Sequence, residues 1–142
     1  IRLCLSFRGL IGSCLCGGIR YEITGPLGRV GHCHCSMCRK SHGAAFVTWA
    51  IVAPGQFRWT AGEELLHAYQ SSPERARCFC SRCGSPLVST WRGTVTEVAL
   101  ATVDGDPGVR PGEHIFTESR ACWYEIADGL PQHRQWPPDF GA

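Results

Sequence analysis

The chain has 142 residues and a formal net charge of +2, from 14 basic and 12 acidic residues. This length predicts a single domain that can bury a core without disulfide cross-links. The balanced charge argues against a nucleic-acid-binding protein, and no uncharged apolar run approaches the roughly 18 residues of a membrane helix. We therefore expect a globular domain with neither nucleic acid nor membrane as a partner.

Three regions are predicted along the chain. Residues 1–11 are assigned to a leader, processed or disordered, because the sequence begins with Ile1 and its only methionine is Met37. The apolar stretch of this leader is too short for a secretory signal. Residues 12–136 form the predicted domain, and residues 137–142 form a tail. Without a secretory signal we expect a cytoplasmic protein.

Short strands dominate the predicted domain, because the 17 glycines and nine prolines of the chain are spread throughout its length. The predicted strands cover residues 18–24, 45–53, 56–60, 64–70, 75–80, 86–90, 97–102 and 114–117. One short helix is predicted over residues 36–41, with Gly43 as its left-handed C-cap. The predicted class is therefore all-β with one or two short helices.

Ten cysteines stand out in a chain of this length. Disulfides need an oxidising compartment, so a cytoplasmic location favours metal binding or thiol chemistry. Seven of the ten form three groups: Cys14 with Cys16; Cys33 with Cys35 and Cys38; and Cys80 with Cys83. The last group is a CxxC pair followed by glycine, a pattern typical of a zinc knuckle, in which a tight turn lets both thiolates face one metal.

The number of clustered cysteines suggests how the three groups combine into metal sites. A structural zinc site is closed by four protein ligands, whereas a catalytic site keeps three and leaves a position open. Seven clustered thiols divide into a closed site of four and a remainder of three. The three-cysteine group lies within six residues and can surround one metal. The alternative, which the spacing leaves open, is a second structural zinc closed by His34 or His42.

Several motifs in fixed order resemble one known family. They are 12–21 (GSCLCGGIRY), 32–40 (HCHCSMCRK), 43–46 (GAAF), 79–86 (FCSRCGSP), 114–116 (HIF) and 123–125 (WYE). With this order and spacing the chain resembles the glutathione-dependent formaldehyde-activating enzymes, a family that includes the centromere protein V domain. The resemblance covers about residues 12–136.

The resemblance implies a fold, two zinc ions and an activity. The fold would be a β-tent of the Mss4-like type. A structural zinc would bind Cys14, Cys16, Cys80 and Cys83, and a catalytic zinc would bind Cys33, Cys35 and Cys38. The implied reaction condenses glutathione with formaldehyde to S-hydroxymethylglutathione, or cleaves that adduct, which makes the protein a carbon–sulfur lyase. Its partners would be a small thiol such as glutathione and an aldehyde.

Three thiolates suit this chemistry. With a zinc dication they carry a net charge of −1, so a soft thiol is a better fourth ligand than water. A metal deprotonates a coordinating thiol, and the thiolate is the reactive nucleophile. We expect the substrate thiol to take the open position and attack the aldehyde.

Three other candidates, His114, Arg39 and Lys40, have both functional and structural interpretations. His114 either reaches the open zinc or acts as a proton shuttle, or it is an ordinary strand histidine. Arg39 and Lys40 either meet glutathione carboxylates or are solvated charges. Cys4, Cys78 and Cys122 lie outside the seven-cysteine set and are predicted to be free thiols.

Other functions remain as alternatives. The same site could serve a different thiol or aldehyde. A non-enzymatic, zinc-stabilised binding module is the alternative from another class, and a fourth protein ligand at the three-cysteine site would favour it. A methionine sulfoxide reductase is rejected, because that enzyme typically uses two CxxC zinc pairs and a separate catalytic cysteine. This chain has only one isolated CxxC pair besides Cys35 with Cys38.

Overall fold

Two β-sheets make up most of the fold in the computed structural model, which describes residues 9–140. The small sheet has the strand order β1-β2-β5, with both pairs antiparallel. Its strands are β1 (Leu10–Ser13), β2 (Arg20–Ile23) and β5 (Phe57–Ala61). Tyr21 and Ile23 on β2 are buried while Arg20 is exposed, as the alternation of a half-buried strand predicts.

The large sheet has the strand order β10-β3-β4-β9-β8-β7-β6. Only the pair β10–β3 is parallel among the described strand pairs of this sheet. Its strands are β3 (Val30–Cys33), β4 (Val47–Ile51), β6 (Leu66–Gln70), β7 (Arg75–Cys80), β8 (Pro86–Trp91), β9 (Thr94–Ala99) and β10 (Glu113–Ile115).

The α-helix α1 spans Ser36–His42 and connects β3 to β4. Cys35 is its N-cap and its sulfur accepts a hydrogen bond from the Cys38 N–H. Gly43 ends the helix in the left-handed conformation (φ 60°), as predicted, and its N–H donates to the carbonyl of Arg39. Three short 3₁₀ segments cover Glu63–Leu65, Leu100–Thr102 and Thr117–Ser119. Within residues 9–140, no helix has the length and apolar character that crossing a membrane requires.

The two sheets share one hydrophobic core. Tyr21 and Ile23 contribute from the small sheet, and Leu87, Val88 and Val98 contribute from the large sheet, all almost fully buried. A second, smaller cluster contains Cys33, Cys38, Val47, Trp49 and Ala99. The three-cysteine group therefore belongs to a separate apolar cluster and not to the main core.

The all-β class with one short helix is confirmed, although several boundaries differ. Strand β3 was not predicted, because Gly31-His32 interrupts any apolar alternation. The chain turns into a 3₁₀ segment at Leu100, so β9 lies earlier than the predicted strand over residues 97–102. Strand β1 begins at Leu10, inside the range assigned to the leader, because residues 10–13 pair with β2.

Truncation of a core side chain should show how much the shared core contributes to stability. Leu87→Ala is expected to lower the free energy of unfolding by about 2–5 kcal/mol, because Leu87 is fully buried and the change leaves a cavity. Ile11→Ala is the control, since Ile11 is 57% exposed, and it should cost less than about 1 kcal/mol. Denaturant unfolding of both variants measures the change in the free energy of unfolding. Equal losses of stability in the two variants would contradict the assignment of Leu87 to the core.

Candidate metal centres

Four cysteines converge where the small sheet meets the large one. Cys14 and Cys16 lie in the turn after β1, while Cys80 ends β7 and Cys83 lies in the following turn. All four sulfur atoms lie within 4.8 Å of one another. The Sγ–Sγ distance is 3.5 Å for Cys14–Cys16 and 3.9 Å for Cys16–Cys80.

This geometry fits a tetrahedral zinc site. With Zn–S bonds of about 2.3 Å, the sulfur atoms of a tetrahedral site are about 3.8 Å apart. The two Sγ–Sγ distances of this site lie on either side of that value. The Gly84 N–H donates to the Cys80 carbonyl (2.7 Å) in a turn that needs the positive φ of Gly84 (79°). That turn directs both sulfur atoms of the CxxC pair toward one point.

Hydrogen-bond donors surround this site and favour thiolates. The N–H of Gly18 and then the Arg82 guanidinium lower the pKa of Cys16, and Arg82 Nε lies 3.2 Å from its sulfur. The hydroxyl and N–H of Ser85 lower the pKa of Cys83. Metal-binding cysteines must be deprotonated, so these donors prepare Cys16 and Cys83 for a cation, whereas burial raises the pKa of Cys80.

A second group contains Cys33, Cys35 and Cys38, whose sulfur atoms also lie within 4.8 Å of one another. Cys33 ends β3, Cys35 caps α1, and Cys38 lies in the first turn of the helix. The strand end and the helix start thus bring together three sulfur atoms that are close in sequence. Among the described residues, no histidine or carboxylate joins this group as a fourth ligand.

The thiols of this group differ in the direction in which their pKa values are shifted. Hydrogen bonds from the Cys33 and Cys38 thiols, with the Cys38 N–H, lower the pKa of Cys35. The pKa of Cys33 is raised, because its thiol proton is held by the neighbouring sulfur atoms and because it is buried. Trp49 Nε1–H and Arg77 Nη1–H point at Cys38 Sγ, at 3.4 and 3.6 Å. These two donors stabilise negative charge on the group.

Neither histidine that could have closed the site does so. His34 is fully buried and its Nε2 lies 2.7 Å from His114 Nδ1. His42 packs edge-on against Trp49, with ring centroids 5.5 Å apart. Burial lowers the pKa of both histidines to about 4, so both are neutral at pH 7.

The three-cysteine group borders a small cavity of about 130 Å³. Apolar walls come from Met37, Trp49, Ile115, Phe116 and Trp136. Its polar lining consists of Arg75, Arg77, Ser89 and Glu97. An open three-sulfur group at the edge of a cavity can accept one small exogenous ligand.

The charged lining of this cavity was not predicted from the sequence. Arg75 Nη1 donates to Ser89 Oγ (2.5 Å) and to Glu97 Oε2 (3.2 Å). Burial raises the pKa of Glu97, while Arg75 and Arg77 oppose that shift. Arg77 Nε is buried without a hydrogen-bond partner among the described residues. The Arg-Ala-Arg pattern on β7 was visible in the sequence, but its convergence with Glu97 depends on the pairing of β7, β8 and β9.

The other predicted residues lie elsewhere. Cys78 is buried in the main core and Cys122 is exposed, both as free thiols, whereas Cys4 lies outside the described residues. Arg39 Nε donates to the Ser119 carbonyl (3.1 Å) and Lys40 is exposed. Neither of these basic residues lines the cavity beside the three cysteines. His114 is fully buried, on the face of the large sheet opposite the three-cysteine group.

Comparison with known proteins gives consistent matches. Residues 9–119 match the family described as glutathione-dependent formaldehyde-activating enzyme. A Halomonas elongata protein named "Putative glutathione-dependent formaldehyde-activating enzyme" is 33% identical over 129 residues, covering 82% of this chain and 80% of the relative. The crystal structure of a Rhodobacter sphaeroides protein is similar at a TM-score of 0.53 and 26% identity, covering 71% of this chain and 91% of the other.

Removal of one sulfur ligand from the four-cysteine group should reduce metal binding and destabilise the fold. We expect Cys80→Ser to bind one fewer zinc per chain and to melt about 10 °C or more lower, because a serine oxygen replaces a sulfur ligand. Elemental analysis and thermal unfolding measure both effects. Cys78→Ala is the matched control, since Cys78 lies two positions away on the same strand, also buried. An equal zinc loss in the control would contradict the assignment.

Proposed function

Because this chain belongs to the glutathione-dependent formaldehyde-activating enzyme family, we propose that it joins a small thiol such as glutathione to formaldehyde, and cleaves the adduct in reverse, at Cys33, Cys35 and Cys38. This is the chemistry of a carbon–sulfur lyase. The protein would carry two zinc ions, one on the four-cysteine group and one on the three-cysteine group. The cytoplasmic location stays a prediction.

One observation supports this proposal more strongly than the alternative functions. The three sulfur atoms lie within 4.8 Å of one another at the edge of a cavity, and no fourth protein ligand joins them among residues 9–140. A structural site would be closed, whereas a catalytic one keeps a position for substrate. The donor set is all sulfur, which suits zinc and a soft thiol ligand. Zinc bound there would supply an open coordination position and favour the thiolate form of a substrate thiol.

The cavity size limits which part of the substrate enters. A volume of about 130 Å³ is well below the roughly 300–1,000 Å³ typical of sites that enclose a drug-sized ligand. We assign the cavity to the reacting thiol group and the aldehyde, and place the rest of a glutathione molecule outside. The aldehyde lies against the apolar walls, where little water competes for it.

The reaction itself balances without any redox partner. The thiol loses its proton, and the sulfur attacks the aldehyde carbon to form the carbon–sulfur bond. The carbonyl electron pair moves to oxygen, which takes up a proton and becomes the hydroxyl of the hydroxymethyl adduct. The reverse reaction breaks the carbon–sulfur bond and releases thiol and aldehyde.

Charged groups of this chain have defined parts in that scheme. Glu97 is the carboxyl group in the cavity, and burial raises its pKa, which suits it to hold the proton between thiol and product oxygen. Arg75 keeps the carboxyl oriented at 3.2 Å. Arg77 and Trp49 donate to Cys38 and offset the negative charge that a further thiolate adds.

Loss of one sulfur at the open site should abolish catalysis without unfolding the protein. Cys35→Ser keeps a good N-cap for α1, because serine caps helices well, but it removes a zinc ligand. We expect one zinc fewer per chain and a reaction rate at the uncatalysed level, measured by NMR exchange between glutathione, formaldehyde and their adduct. Cys122→Ser, at an exposed position, should keep both zinc and rate. Unchanged zinc content and reaction rate in Cys35→Ser would refute the proposal. The proposal would also be refuted if the wild-type chain failed to accelerate the reaction of any thiol with formaldehyde.

Replacement of the buried carboxyl should separate catalysis from metal binding. Glu97→Gln is expected to keep both zinc ions while kcat falls by about 10²-fold, because the amide cannot accept the thiol proton. Glu74→Gln is the control, since Glu74 pairs with Arg92 away from the cavity. If kcat is unchanged in Glu97→Gln, the proton passes by another route.

A further inference from the structure

A third group of metal-binding side chains lies apart from the cysteines. It consists of His32 on β3, His114 on β10 and Asp128 in the segment that follows. One nitrogen of each ring and one carboxylate oxygen lie within 4.8 Å of one another. The closest pair is His114 Nε2 and Asp128 Oδ2, at 2.8 Å. Nothing in the proposed reaction uses these three side chains.

Strand pairing explains why the two imidazoles meet. Strands β10 and β3 are parallel, and their register places His114 beside His32. Neighbouring residues on paired strands project to the same face, and the two ring centroids are 4.8 Å apart. Cys33 follows His32 directly and, by the alternation of a strand, faces the opposite side. The histidine group and the three-cysteine group are therefore separated by the sheet.

The hydrogen bonds of the two rings resemble those of metal ligands. Histidines that bind metal almost always have their other ring nitrogen held by a neighbouring group. His32 Nδ1 lies 2.8 Å from Thr48 Oγ1, and His114 Nδ1 lies 2.7 Å from His34 Nε2. Both Nδ1 atoms are thus engaged. The Nε2 atoms remain as the ligand positions, and Asp128 lies beside one of them.

We propose that His32, His114 and Asp128 bind a divalent first-row transition metal ion through the two Nε2 atoms and the carboxylate. Two neutral imidazoles and one carboxylate are a ligand set for zinc, cobalt(II) or iron(II), unlike the all-sulfur sites. Three protein ligands leave at least one coordination position open. The Asp128 side chain is 43% exposed, so an ion can enter from solvent and the carboxylate can adjust around it.

Metal binding would also reverse one buried hydrogen bond. In the tautomers that fit these contacts without metal, the Nε2–H of His114 donates to the Asp128 carboxylate and its Nδ1 accepts from His34 Nε2–H. With a metal on Nε2, His114 carries its proton on Nδ1 and donates to His34 Nε2. His34 then carries its own proton on Nδ1. Binding therefore switches the tautomer of two fully buried histidines, a signature separate from metal content.

The test uses the full chain after its cysteine sites have been saturated with zinc. Cobalt(II) is added, and we expect one further ion per chain, with ligand-field bands but no sulfur-to-cobalt charge-transfer band. Asp128→Asn and His32→Gln should each weaken cobalt binding by at least tenfold. Matched controls are Asp106→Asn and His67→Gln, because both residues are exposed and outside the group, and these should bind cobalt as the wild type does. With zinc as the added ion, nitrogen-15 NMR should show the tautomer switch at His114 and His34.

Three results would overturn the proposal. The first is a zinc-saturated wild-type chain that takes up no further ion. The second is uptake accompanied by a sulfur-to-cobalt band, which would mean that cobalt has exchanged into the cysteine sites. The third is undiminished cobalt binding in both Asp128→Asn and His32→Gln. Because the readouts are stoichiometry, spectra and tautomers, they do not depend on whether the thiol reaction occurs.

Discussion

The convergence of four sulfur atoms between the two sheets is the interaction on which the rest of the structure depends. Cys14 and Cys16 follow a strand of the small sheet, while Cys80 ends a strand of the large one and Cys83 follows it. Thiolates within 4.8 Å of one another repel strongly unless a cation lies between them. A metal ion at this point would hold the sheets together over the shared core. The cavity and the three-cysteine group depend on the two sheets being held in this arrangement.

The short strand β3 separates two kinds of chemistry. Its last residue, Cys33, contributes to the sulfur group beside the cavity, while His32 projects to the opposite face beside His114. The alternation of a strand assigns soft sulfur ligands to one face and nitrogen ligands to the other. Parallel pairing with β10 is what completes the nitrogen group, because it brings a residue from 82 positions further along the chain into register.

Much of this arrangement could be predicted from local patterns. The CxxC pair with its glycine and the closely spaced Cys33, Cys35 and Cys38 were recognisable, and the structure brings all seven cysteines into the two predicted groups. The end of α1 at Gly43 was also recognisable. Strand β3 was not, because its residues Gly31 and His32 give no apolar alternation and its stability comes from neighbours on both sides.

The sequence by itself determined which cysteines share a turn and which chemistry they favour, because ligand type and spacing are local properties of the chain. Only the tertiary structure decided that Arg75, Arg77 and Glu97 line the cavity beside the open sulfur group, and that His114 and Asp128 meet His32. These contacts join residues far apart in sequence. Their positions follow from strand order and register, which long-range pairing and burial establish together, and no short motif encodes them.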